Sequence, residues 1–138
     1  MAEGDRLFSR GDYAGAEVVF RNYLDRFPDH APARCKRILC LYRGERLEEA
    51  ESALRTMLRE RRSESFVRLY LGLVLARSGK REEALAVWMG YFNIDQPLIQ
   101  RAINLLMGRD EIGEEPDTEE MVAEVEAAIA DQQRADRA

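Results

Sequence analysis

The chain has one histidine, one tryptophan, two cysteines and four prolines among its 138 residues. A metal centre or a catalytic base needs partners, and the single His30 follows Pro28 with only Asp29 as an acidic neighbour, so it reads as a surface turn residue. Cys35 and Cys40 stand five apart on one predicted helix, a spacing that suits neither a disulfide nor a CxxC redox pair. Two free, half-buried thiols fit a reducing cytoplasm, with a mature exported chain as the alternative. No apolar run approaches the roughly 18 residues of a transmembrane helix. The start, Met1-Ala-Glu-Gly-Asp, has neither the basic residues nor the apolar stretch of a secretory signal. Glycine-rich phosphate loops, Ser/His/Asp sets and metal-spaced clusters are all missing. No catalytic residue, metal ligand or cofactor site is therefore expected, and the chain is read as not an enzyme. The pairs Glu48-Glu49 and Glu82-Glu83 open predicted helices, where acids complement the macrodipole.

What the chain has is enough apolar content for a core, 46%, and 34% charged residues to solvate it. A net charge of -5 argues against a general affinity for nucleic acid or anionic membrane. The basic stretch Arg55, Arg59, Arg61 and Arg62 lacks interleaved aromatics and reads as a solvated helix face.

Three alanines, Ala16, Ala50 and Ala84, recur at a constant interval of 34 residues. Each follows a turn (Gly11-Asp12, Gly44-Glu45, Ser78-Gly79-Lys80), and each is followed four residues later by a large apolar residue: Phe20, Leu54 or Trp88. Tyr23, Leu24 and Phe27 extend the first apolar face, Met57 and Leu58 the second, Tyr91 and Phe92 the third. Pro28 and Pro97 stop the first and third runs. Antiparallel helices approach closely only where small side chains face the partner, the role assigned to the three alanines and, on the facing helices, to Gly4 and Gly72, with Ile38 in that place in the second repeat. The large residues are expected to plug the gaps between repeats.

The period and the in-register pattern resemble the tetratricopeptide repeat family over about residues 3 to 108. The resemblance implies an all-α fold: a right-handed superhelix of three helix pairs plus a capping helix and a C-terminal amphipathic helix. Repeats are placed at about 1–30, 31–64 and 65–96, with a capping helix at 97–108 completing a solenoid over 1–109. The run Asp110 to Glu120, acidic and broken by Gly113 and Pro116, contains a linker over 110–117. Asp117 and Glu120 form a capping box for a last helix over 118–134, with a frayed tail at 135–138. Met121, Val122, Val125, Ala128 and Ile129 give that helix a narrow apolar stripe.

Members of this family usually carry no active site and hold a peptide or helix of another protein on a concave surface. By that resemblance the groove is lined by Asp5, Phe8 and Ser9, then Lys36, Leu39, Tyr42 and Arg43, then Phe66, Tyr70, Leu73 and Arg77. Aromatic and leucine side chains supply contact area, and lysine and arginine supply attraction, so the expected partner is a protein segment that is apolar with acidic character. Many relatives clamp the acidic tail of heat-shock chaperones with lysines, asparagines and an arginine. Asp5, Lys36, Phe66 and Tyr70 depart from that set, which argues against such a role. The reading is an adaptor or assembly chaperone in the cytoplasm. The alternatives are a self-assembling scaffold in which the C-terminal helix of one copy fills the groove of the next, making a homo-oligomer, or a likeness to type III secretion translocator chaperones. The C-terminal helix itself reads as a cap, as a pseudo-ligand in the chain's own groove, or as an arm for another copy.

Overall fold

The computed structural model describes residues 1–138 as eight α-helices without a strand. They run α1 Ala2–Ser9, α2 Tyr13–Arg26, α3 Ala31–Arg43, α4 Leu47–Arg59, α5 Glu64–Arg77, α6 Arg81–Met89, α7 Pro97–Glu111 and α8 Thr118–Arg137. The chain divides into two compact units, residues 1–66 and 67–138.

In the first unit two helix starts are capped by a side chain. Asp12 caps α2, accepting from the Gly15 amide at 2.9 Å. His30 caps α3: its Nδ1 accepts from the Ala33 amide at 3.2 Å, its ring meets Tyr23 edge-on, and Pro32 occupies the first turn. The lone histidine is thus a structural cap. Gly4 of α1 lies beneath Phe20 of α2, where a Cβ would stand 2.7 Å from the ring. Ala16, Phe20 and Cys40 form a buried cluster that Met1, Leu7 and Phe8 cover. The aromatic at this repeat position packs onto the glycine of its own pair as well as onto the neighbouring helix α3.

The turns inside the three pairs obey one rule. Gly11, Glu45 and Gly79, each 34 residues after the last, all take a positive φ (82°, 64° and 78°). Glycine adopts that region freely; Glu45 does so against its Cβ.

In the second unit Gly72 lies under Trp88, whose indole N–H donates to the Leu69 carbonyl at 3.3 Å. Val67 and the run Leu69 to Ala76 are all buried, so α5 is a helix covered on every side. The sequence pattern carries the next helix through Tyr91 and Phe92, yet α6 ends at Met89. Arg68 fills the space beside Gly90 and donates to the Val87 carbonyl at 3.2 Å. Tyr91 then turns inward and Phe92 outward.

α7 and α8 form a fourth antiparallel pair. At one end Arg109 of α7 meets Glu120 and Glu124 at 2.9 and 3.2 Å; at the other the Leu98 amide donates to Gln132 at 2.8 Å. Met121, Val125, Ala128 and Gln132 are buried. The acidic connection is fixed by Arg81, which pairs with Asp110 and donates to the Pro116 carbonyl at 2.8 Å. Asp117 caps α8 by accepting from the Glu120 amide at 2.8 Å, while the Glu120 carboxylate goes to Arg109 rather than back to the cap. The Gln132 anchor carries α8 on to Arg137, past the expected end at 134.

Candidate functional site

On the first unit the expected groove residues fall on α1 and α3. Lys36, Leu39 and Arg43, at spacings of three and four, share one face of α3. Lys36 Nζ reaches both Asp5 carboxylate oxygens, at 2.7 and 2.9 Å, and lies 5.8 Å from the centre of the Phe20 ring. Ser9 and Arg43 are exposed, and Leu39 is half-buried. Phe8 is half-buried too, edge-to-face on Tyr13 with centroids 5.1 Å apart, and so is Phe66 at the end of this unit.

Three expected contact residues do not present a surface. Tyr42 and Leu73 are buried, at 2% and 0% exposure, and Tyr70 retains 9%. Tyr70 and Leu73 lie on α5, whose covering on all sides turns that stripe into core, and Tyr42 is buried on α3. Arg77 is half-buried and shares a cleft of about 460 Å³ with Ala76, Gly79 and the α8 residues Thr118, Val122 and Glu126.

The first unit also holds a charge cluster that sequence reasoning missed. Glu17 is 1% exposed and takes Arg37 at 2.9 Å, Arg46 at 3.2 Å and Arg21 at 3.5 Å. Arg46 grips Glu49 as well, through two hydrogen bonds that draw the Glu49 carboxyl below its usual range. An acid following the repeat alanine carries no sequence signal of burial; only the three arginines from α2, α3 and the turn before α4 reveal it. Beside this cluster, Arg21, Arg34 and Arg37 edge a cleft of about 320 Å³ floored by Leu24, Ile38 and Met57. Arg34 is held by Glu60 at 2.6 Å. The carboxylates already present take up those guanidiniums, which makes the cluster structural.

Cys35 and Cys40 are free thiols. Burial raises both pKa values, and the nearby Glu17 charge adds to the effect on Cys40, which is pushed up to about 11. Both are protonated at neutral pH and poor nucleophiles. No three His, Cys, Asp or Glu side chains are grouped to hold a metal ion, and no helix is long and apolar enough to cross a membrane.

Comparison with known proteins agrees with this geometry. A tetratricopeptide repeat family model matches residues 7–70, which takes in α2, α3 and α4 whole. No curated protein and no solved structure matches the chain. Repeats of this class generally mediate protein–protein interaction. With helix pairs and turns recurring at the same interval, residues 7–70 are tetratricopeptide repeat sequence.

Proposed function

We propose that the chain is a non-enzymatic interaction module, an adaptor or assembly chaperone, that holds a segment of a partner protein on the face shared by α1 and α3. The observation that supports this most is the arrangement on α3: an accessible leucine, Leu39, flanked along one face by Lys36 and Arg43. Asp5 and Ser9 on α1 border the same face. Lys36 is already neutralised by Asp5, so Arg43 is the cation that draws an acidic group of the partner, while Leu39 and the open edge of Phe8 supply apolar contact. Tyr42, Tyr70 and Leu73 serve beneath the surface as packing. The two protonated thiols are in keeping with a cytoplasmic setting.

The test is affinity capture of partners by the wild-type chain and by a Leu39→Glu, Arg43→Glu variant, with circular dichroism confirming that both fold. A partner held by the wild type and lost by the variant, with cross-links on α1 and α3, is the expected result. Equal capture by both proteins overturns the reading.

A further inference from the structure

Exposed apolar surface is unevenly placed in this chain. Of its large apolar side chains, those that stand out in solvent are Val18, Phe27, Met89, Phe92, Ile94, Leu98, Leu105 and Ile112, and six of these fall between residues 89 and 112. Leu98, Arg101, Leu105, Gly108 and Ile112 follow spacings of three and four, so they form one stripe along α7 and its C-cap. Phe92 and Ile94 join it, lining a cleft of about 490 Å³ with Pro97, Arg101 and Leu105. Leu105 is 56% exposed and Phe92, Ile94 and Ile112 are more than 70% exposed. A contiguous patch of this kind marks an interaction site.

Three further features say what belongs there. The residues 34 positions earlier than Arg101, Leu105 and Gly108 are Val67, Leu71 and Val74, all fully buried. The face that α5 uses for packing is thus left open on α7. Gly108 is the second feature. The helical glycines Gly4 and Gly72 are explained by the rings above them, but a Cβ on Gly108 would meet nothing within 4 Å. A glycine inside a helix costs about 1 kcal/mol relative to alanine, and nothing in the chain itself requires it here, whereas close approach of an outside backbone would. The third is Arg101, which makes no ion pair within its chain although residues 67–138 carry 14 acidic and only 8 basic side chains.

We propose that this face of α7 docks an amphipathic helix of a partner protein, with an apolar stripe laid over Leu98, Leu105 and Ile112, its backbone close to Gly108, and a carboxylate opposite Arg101. The helix takes the place that packing partners take against α5. A second copy of this chain is the poorer occupant, since the same face on both copies would bring two strongly acidic units together and set Arg101 near its own counterpart. The surface shares no residue with the α1 and α3 face, and either reading can fail without the other.

The probe is a displayed library of 20-residue helices with leucine at heptad positions and the central polar positions randomised. It is selected on the wild type and counter-selected on Leu105→Glu. Wild type should enrich aspartate or glutamate at one central position, and isolated clones should bind at least tenfold more tightly than to Leu105→Glu or Gly108→Leu. On Arg101→Glu the enriched residue should change to lysine or arginine. The Leu39→Glu, Arg43→Glu variant should bind the same clones as the wild type. Circular dichroism and the fluorescence of Trp88 establish that each variant is folded. Absence of enrichment over the counter-selection, or enrichment without a carboxylate preference, overturns the proposal. So does sedimentation showing self-association that Leu105→Glu abolishes, which would give the face to a second copy.

Discussion

The third helix pair and the fourth solve the same packing problem with opposite means. In α5 and α6 a glycine lies under a tryptophan, and an alanine, Ala84, is the fourth residue of the second helix. In α7 and α8 that fourth position holds Met121, fully buried, and the connection is a longer acidic segment tied down by Arg81 and Arg109. The first sets an indole directly on a glycine, in a helix that is covered on all sides. The second puts a long flexible side chain at the contact, fixes its ends with ion pairs and an amide bond, and leaves one side of α7 in solvent. One position of a helix pair can thus be filled by a small residue or by a long flexible one.

The widest contrast between the pairs lies in their glycines. Gly72→Ala forces a methyl group into the Trp88 indole and should cost about 3 kcal/mol, whereas Gly108→Ala, with open space around it, should stabilise by up to about 1 kcal/mol. Urea unfolding of the two variants measures both, and equal effects would erase the distinction. Met121→Ala restores the residue of the other pairs, yet should destabilise by about 2–3 kcal/mol because a fully buried side chain is lost and a cavity is left; unchanged stability would show that the neighbouring side chains close over the space. Glu45→Gly removes the one non-glycine from the three equivalent turns and should add about 1 kcal/mol in thermal or urea unfolding.

The smallest effect at neutral pH comes from Tyr91, whose buried hydroxyl has no hydrogen-bond partner and whose pKa burial pushes up to about 12. The unfolded chain ionises near the ordinary value of 10.0, before the folded one, so stability falls as pH rises from about 10 to 12. Cys40 acts in the same direction between about 9 and 11. Tyr91→Phe should leave neutral stability within about 1 kcal/mol of the wild type or slightly above it and flatten the upper part of the alkaline decline. Melting temperatures across that range provide the comparison.

The all-α fold was legible because three features repeat together: the alanine, the large residue four later, and the turn. The fourth pair was not read as a pair, because Met121 carries no small-residue signal and the longer connection throws α8 out of the interval. The end of α6 was missed because Tyr91 and Phe92 continue an apolar face that Gly90 interrupts. On the groove, spacing put Lys36, Leu39 and Arg43 on one accessible face of α3 but did not show that Tyr42 is buried, and it had no purchase on α5: when Tyr70, Leu71, Leu73 and Val74 are all apolar, period alone cannot say which side is covered. Glu17 was invisible for the converse reason, since its burial depends on arginines 4, 20 and 29 residues away.

Trp88 is the only tryptophan, enclosed above Gly72 with its indole nitrogen bonded to a backbone carbonyl. Its emission is therefore a built-in gauge of one helix pair: blue-shifted while α5 and α6 stay locked, red-shifted once water enters. Circular dichroism averages over all eight helices, so any lag between the two signals on denaturation would show one half of the chain melting ahead of the other.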